Sequence, residues 1–379
     1  MRVAVLGAGN GGFATAADLA LRGHAVRLYE LPEFAANLEP VRANGGIQMD
    51  VLDSFPRPGG FARLEALTTD MAEAVGGAEL VLLTVPAYAH DTYVHRLAPH
   101  LAPGQVVVFC PGYLGPWLLW QRLREGGRAE QVILGETESL IYACRKTAPD
   151  RVWVRGYKRG LRAAALPAAA NDRLIELLRS AYPDVEPAPN VIATTLSNAN
   201  ALIHTPLMLL NAAHIERTGG DFLFYHEGMT PAVGRLIESL DEERLAIGRA
   251  WGVRLRTMFE QDYGWYAHQG ARGRNIHDTH VTNPIYAWSK APDNLSHRYV
   301  AEDVPYGLVT IESFGRHAAV PTPRISAMIE LFNALLGRDF RREGRTLDAV
   351  GLGGLSLEDA RAALEGREFG LPRPPAGRT

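Results

Sequence analysis

Cysteine is almost missing from this chain of 379 residues: only Cys110 and Cys144 occur, too few for a disulfide framework. Both lie in strand-like runs and read as small buried hydrophobes. No apolar run approaches the roughly 18 residues that a membrane-crossing helix needs. A strand-like run already begins at Arg2, which leaves no room for a signal peptide and points to the cytoplasm. Blocks of like charge are lacking, and the net charge is only -3. Neither nucleic acid nor an anionic membrane is therefore an implied partner, and a small molecule is expected. Lysine is scarce, occurring at positions 146, 158 and 290 alone. Internal repeats and low-complexity tracts are also wanting.

What is present is a globular composition, 47% hydrophobic, in a chain long enough for two domains with proper cores. Short β-branched runs ("RVAVLG", "AVRLYE", "ELVLLTV", "QVVVFC", "QVILGE") alternate with helix-period segments, the pattern of a parallel sheet with helices on both faces. "SLIYACR" and "RVWVRGYK" read as further strands, and "NDRLIELLRSAYP" as an amphipathic helix. From about residue 190 helical patterns dominate: "VIATTLSNANALIHTPLMLLNAAHIERTG", "TPAVGRLIESLDEERLAIGRAWGV", "PRISAMIELFNALLG" and "SLEDARAALEG". The last starts on a capping-box pattern, Ser356 with Asp359. The expected fold is α/β, with a dinucleotide-binding domain over 1–189 and a mostly α-helical substrate domain over 190–379. Such an apolar helical half leaves a homodimer open. The stretch 263–295 shows no clear period, and long irregular stretches in compact domains are more often functional than idle.

"VAVLGAGNGGFATAADLALRGHAVRLYE" carries the strongest chemical signal. Gly7, Gly9 and Gly12 form G-x-G-x-x-G between a strand and a helix that opens near Asn10, Gly23 ends the helix, and Glu30 closes the next strand. That whole context, rather than the glycines alone, marks a Rossmann-type dinucleotide site. Gly7 permits the turn, Gly9 admits a pyrophosphate to the backbone, and Gly12 lets the helix pack on its strand. Glu30 stands where a carboxylate would accept ribose hydroxyls and repel a 2′-phosphate. Leu31, Pro32 and Glu33 offer no arginine to offset it, so NAD(H) is expected over NADP(H). Val85 and Pro86, in the loop "TVPAYAH" after a later strand, are expected to line the path from cofactor to substrate.

The second signal is "NANALIHTPLML". On one continuous helix Ser197, Asn200, His204 and Asn211 fall within an arc of roughly 60°, a polar stripe among Leu196, Leu202, Ile203, Leu207, Leu209 and Leu210. Pro206 should loosen that helix near Leu202. A buried histidine in such a stripe is either satisfied packing or an acid-base group. The latter needs a partner to fix its tautomer, most simply a carboxylate. "HRYVAEDVPYGLV" holds the candidate: Asp303 ahead of Val304 and Pro305, which are expected to keep the backbone extended, with Arg298 able to meet a carboxylate through two hydrogen bonds. A surface ion pair of Arg298 with Glu302 or Asp303 explains the same residues equally well.

Together, "VAVLGAGNGGFATAADLALRGH", "ETESLIYACR", "NANALIH" and "RYVAEDVPYGLV" resemble the opine dehydrogenase family over most of the chain. Members join the amino group of an amino acid to a 2-keto acid such as pyruvate and reduce the imine with a nicotinamide cofactor. The resemblance implies that His204 is the catalytic histidine, Asp303 its partner, Arg298 the substrate-carboxylate arginine and Asn200 a pocket residue. "SLIYACR" departs from the expected pattern in having Ile141 where a proline is anticipated.

Two other functions fit the same plan. A secondary-alcohol dehydrogenase related to glycerol-3-phosphate dehydrogenase or ketopantoate reductase would want a lysine in the helical half, where only Lys290 is on offer. A non-catalytic NAD-binding protein would use His204 for packing alone. "HDTH" (His277, Asp278, His280) lacks the further ligands of a metal centre, so no metal is expected. His268, His277 or Tyr286 are candidates to line the amino-acid pocket.

Overall fold

The computed structural model describes residues 1–367, and the chain divides into two compact units. The first is built from Met1–Tyr157 and Leu161–Thr194 and takes in residues 361–367; the second comprises Lys158–Gly160 and Thr195–Ala360. This differs from the 1–189 and 190–379 split anticipated above, because the chain returns to the first unit. There the Ala168 N–H donates to the Glu365 carbonyl at 3.0 Å and the Asn190 side-chain amide donates to the Glu365 carboxylate at 3.1 Å. Gly366, at φ +68, lies so near Pro167 that a Cβ would stand 2.4 Å from the ring.

The strands of the first unit are β1 (Arg2–Leu6), β2 (Ala25–Tyr29), β3 (Ile47–Val51), β4 (Gly60–Ala62), β5 (Ala66–Thr68), β6 (Leu80–Leu83), β7 (Val106–Phe109), β8 (Ile133–Thr137), β9 (Tyr142–Ala148), β10 (Arg151–Tyr157), β11 (Arg162–Leu166) and β12 (Glu186–Pro187). Eight form one sheet in the order β12-β11-β8-β7-β6-β1-β2-β5. It is parallel apart from the β8–β11 pair. Its central strands are buried on both faces, which explains why "VAVL", "LVLL" and "VVVF" are unbroken apolar runs rather than alternating ones. The α/β architecture expected from the sequence is thus present.

β9 and β10 do not extend that sheet. They join β3 and β4 in a second sheet, ordered β4-β3-β10-β9, which packs on the helix Asn10–Leu21. That helix is buried continuously from Gly11 to Leu19, so its one acid, Asp18, needs partners. Arg57 supplies two hydrogen bonds, at 2.9 and 3.1 Å, and the Tyr142 hydroxyl a third at 2.6 Å. Cys144 on β9 is only half-buried, correcting the reading of both cysteines as core; its thiol donates to the Asn10 carbonyl at 3.3 Å.

The second unit is helical, and two local expectations fail in it. The long pattern after residue 190 is three helices, Val191–Leu196, Ala199–Leu210 and Ala212–Thr218. Pro206 lies inside the middle helix, which continues to Leu210. The break comes earlier, at Ser197 and Asn198, where the Asn198 side chain caps the new helix by accepting from the Asn200 N–H. Ser197 therefore does not share a helix face with His204. Its carbonyl accepts from Gln261 Nε2 at 2.7 Å, while the preceding Leu196 carbonyl accepts from buried Arg244 at 3.1 Å. The other failure is at Asp303: instead of extended chain, Asp303–Leu308 is a π-helical segment running into the helix Val309–His317. Pro305 is tolerated because its missing N–H falls in the first turn of the segment, where no intrahelical partner is needed.

Candidate functional site

The glycine motif forms the turn between a strand and a helix. Gly7 adopts φ +99 between β1 and the helix Asn10–Leu21, and Gly9 is the helix N-cap residue. A Cβ on Gly12 would fall 1.7 Å from the Gly7 carbonyl oxygen, whereas one on Gly9 would meet nothing within 4 Å. Gly12 thus answers to helix–strand packing, and Gly9 borders open space at a helix N-terminus, as a phosphate site requires. Val85 closes the turn from the side, since a Cβ on Gly7 would come 2.4 Å from its Cγ1, and Pro86 follows directly. Asn10 begins the helix, and its side-chain oxygen accepts the Lys146 N–H at 2.8 Å.

Glu30 follows β2 and is 6% exposed. Its carboxylate accepts from the Ala8 N–H (3.1 Å), the Leu31 N–H (2.9 Å), the Tyr93 hydroxyl (3.0 Å) and the Asn37 amide (3.4 Å). It therefore ties the glycine loop to the end of β2 as well as placing negative charge there. Burial and the Glu30 charge push the Tyr93 hydroxyl well above the usual tyrosine range. The nearby arginine that local sequence did not supply comes from further along: Arg96 reaches Glu33 at 3.1 Å, where its charge is already matched. These residues fit a dinucleotide with an unphosphorylated ribose.

In the second unit, His204 projects from Ala199–Leu210 and is 8% exposed. Its Nδ1–H donates to Asp303 Oδ2 at 2.6 Å. The close approach of the two segments depends on Gly307, where a Cβ would stand 2.4 Å from that of Ala201. With Nδ1 carrying the proton, Nε2 accepts from the Tyr225 hydroxyl at 2.8 Å. Tyr299 stacks on the imidazole with centroids 3.7 Å apart; its hydroxyl lies 3.4 Å from that of Tyr225. Burial holds His204 below the ordinary histidine value; Asp303 opposes this, while Arg298 and His280 add to it. The result is a neutral imidazole with a fixed tautomer and a basic nitrogen facing a hydroxyl.

Arg298 lies on the short helix Arg298–Ala301, which also carries Tyr299. Its side chain is 45% exposed and stands 3.8 Å from Glu302, the ion-pair alternative raised by the sequence, yet it remains near enough to bias His204. Asn200 occupies the first turn of the His204 helix and is half-buried. Of the polar stripe, Asn211 is instead the C-cap residue, with its amide on the Leu207 and Gly228 carbonyls.

The stretch 263–295 is less irregular than its sequence. The helix Met258–Tyr266 runs into it, and Ile276–Thr282 lies within it. Tyr286 packs on Tyr225 at 4.5 Å and on His280 at 5.0 Å, and its hydroxyl donates to Asp262 at 3.0 Å. His277 turns to Asp278 and His280 to the Ile276 carbonyl, so the two histidines of "HDTH" diverge. Among the described residues no group of three or more His, Cys, Asp or Glu is arranged to hold a metal. Lys290, the lysine a secondary-alcohol dehydrogenase would need, pairs with Asp221 at 2.5 Å, 59% exposed. Sequence reasoning missed Tyr225, which sits in the unremarked "DFLFYHEG". Tyr299 lay inside a quoted motif without being singled out.

Comparison with known proteins bears on both units. Residues 187–336 match the family model described as NAD/NADP octopine/nopaline dehydrogenase, alpha-helical domain. Residues 2–111 match that of the NAD-dependent glycerol-3-phosphate dehydrogenase N-terminus. An opine dehydrogenase of Arthrobacter sp. (strain 1C) is 38% identical over 364 residues, covering 96% of this chain and 98% of that one. The protein ocs of Agrobacterium vitis is 28% identical, covering 96% and 99%. A solved octopine dehydrogenase in complex with NADH and agmatine shares the fold, with a TM-score of 0.77 at 22% identity over 97% of this chain and 99% of that one. With 38% identity sustained across both units, the chain belongs to the opine dehydrogenase family and is an oxidoreductase.

Proposed function

We propose that the protein is an NAD(H)-dependent opine dehydrogenase that condenses an amino acid with a 2-keto acid and reduces the resulting imine, and that runs the reverse oxidation. The observation that carries this reading is the 2.6 Å contact of His204 with Asp303, which leaves one basic nitrogen oriented for proton transfer. Gly7, Gly9, Asn10 and Gly12 would hold the pyrophosphate, Glu30 the adenosine ribose, and Val85 and Pro86 the approach to the nicotinamide. NAD(H) supplies or accepts the hydride. One family model is named for an NAD-dependent enzyme and the other for NAD/NADP enzymes; between the two cofactors, the Glu30 carboxylate disfavours a 2′-phosphate.

In the reductive direction Arg298 clamps the keto-acid carboxylate with its half-exposed guanidinium, and Asn200 lines the pocket one turn before His204. His204 gives the proton required as oxygen leaves the carbinolamine as water, and Asp303 stabilises the imidazolium beforehand. In the oxidative direction the same nitrogen takes the proton back. Octopine dehydrogenase structures that hold agmatine, L-arginine or pyruvate with NADH suggest pyruvate and a basic amine as first substrates to assay. The test is NADH oxidation with pyruvate and a panel of amino acids, each alone and in pairs. Oxidation that requires both partners supports the reading; oxidation with keto acid alone favours a secondary-alcohol dehydrogenase and overturns it.

A further inference from the structure

His204 is buried and its Nδ1 is committed to a buried carboxylate, Asp303 being 2% exposed. One ring face lies under Tyr299. A proton given up by Nε2 must be replaced before the next turnover, and the group at Nε2 is the hydroxyl of Tyr225, a buried residue. That hydroxyl in turn lies 3.4 Å from the hydroxyl of Tyr299, which is only half-buried. The three polar groups are linked in succession, Nε2 to the Tyr225 hydroxyl and that hydroxyl to the Tyr299 hydroxyl.

We propose that Tyr225 and Tyr299 are a proton wire that recharges His204 between reductive turnovers and drains it between oxidative ones. The inference rests on the assignment of His204 as the acid-base group. After the leaving oxygen has taken the Nε2 proton and departed as water, His204 is neutral. A solvent proton then bonds to the Tyr299 oxygen, the proton already on Tyr299 moves to the Tyr225 oxygen, and the proton on Tyr225 moves to Nε2. Three bonds to hydrogen form and two O–H bonds break, the solvent donor losing its own; both phenols end as they began and only His204 has changed charge. The hydrogen bonds reverse direction in the process. Tyr225 donates to a neutral His204 and accepts from an imidazolium, and in the second state its own O–H is directed to Tyr299. Substrate oxygen and the Tyr225 hydroxyl take turns at Nε2. Burial disfavours the charged state, with Arg298 and His280 adding to it and Asp303 opposing, so the imidazolium is transient and its refilling matters to rate.

The experiment compares wild type with Tyr225→Phe, which keeps the ring packing against Tyr286 and removes the hydroxyl. Steady-state kcat for reduction should fall by about tenfold or more, while a first turnover begun from protonated His204 proceeds at the wild-type rate and leaves a burst of NADH oxidation. Added imidazole should restore kcat, as a small acid that replaces the missing link. A loss shared by the first turnover and unmoved by imidazole would mean that Tyr225 only positions His204, and unchanged kcat would mean that it does neither; each overturns the wire. Tyr299→Phe tests the outer link and decides the matter if Tyr225→Phe does not fold. A second arm needs no substrate: in ¹⁵N-histidine-labelled protein, the His204 resonance, identified by its loss in His204→Gln, should exchange protons more slowly in Tyr225→Phe than in wild type. Equal exchange overturns the wire even if the enzyme is not an opine dehydrogenase, and failure of the paired-substrate assay leaves this comparison intact.

Discussion

Gly9 and Gly12 are three residues apart and answer to different constraints, one external and one internal. Gly9→Ala adds a methyl where the protein has nothing within 4 Å, so the thermal midpoint should hold while the Kd for NADH rises by about tenfold, equivalent to about 1.4 kcal/mol. Gly12→Ala drives a methyl into the Gly7 carbonyl and should lower both the midpoint and the affinity; calorimetry and fluorescence titration separate the two. His204→Ala should retain NADH binding and lose at least about 10²-fold in kcat, and Arg298→Ala should raise the keto-acid KM more than it lowers kcat. His204 also sets a pH dependence of stability. Burial holds its folded pKa below the ordinary histidine value of about 6.5, so between the two values the unfolded chain binds more protons than the fold, and stability rises with pH. The contribution is complete above pH 6.5 and is lost as pH falls toward the folded value; denaturant midpoints measured across this range should flatten in His204→Gln. At this scale the sequence was most legible where a motif fixes a backbone geometry, as for Gly7 and Gly12. Tyr225 was hidden because nothing local distinguishes a tyrosine that packs from one whose hydroxyl meets a histidine 21 residues away.

The element that presents His204 begins where it does because of groups far off in the chain. The break before it is held by Arg244 on the Leu196 carbonyl, Gln261 on the Ser197 carbonyl and the Asn198 cap. Arg244 is fully buried and also bonds Asp241 at 2.7 Å and the Arg256 carbonyl at 2.6 Å. Asp241 in turn accepts the Met258 N–H at 2.8 Å. Arg244→Ala removes the charged partner of the buried Asp241 carboxylate, which keeps the Met258 N–H, and a donor from each of two carbonyls, and should cost about 3–5 kcal/mol in urea unfolding of the second unit. Periodicity alone could not see this break: an apolar run with small residues reads as one helix unless its capping partners are known. The same limit explains Asp303, where the preference of residues before proline for extended backbone gave way to first-turn placement of Pro305. The central strands were legible because burial on both faces writes itself as apolar runs, whereas β3, β4 and β5 are short or mixed in polarity and carry no such mark.

At the scale of the molecule, composition pointed to a small-molecule protein and the alternation of apolar runs with helical patterns to an α/β fold with a helical second half, and that architecture is what the chain adopts. The domain boundary was less legible, because Leu357–Leu364 advertises a helix without saying which core it joins. Deleting residues 361–379 removes the partners of Ala168 and Asn190 and should lower the thermal midpoint of the first unit while the second keeps its own; two separated transitions in calorimetry, only the first shifted, would be the expected trace. The return of residues 361–367 to the first unit also bears on biogenesis. The first unit lacks residues 361–367 until the ribosome has made the whole of Thr195–Ala360, a delay of about ten to thirty seconds at roughly 5–20 residues per second. During that interval the nascent nucleotide-binding fold has no segment over Pro167 and Asn190, so its last step of folding follows, rather than precedes, synthesis of the helical half.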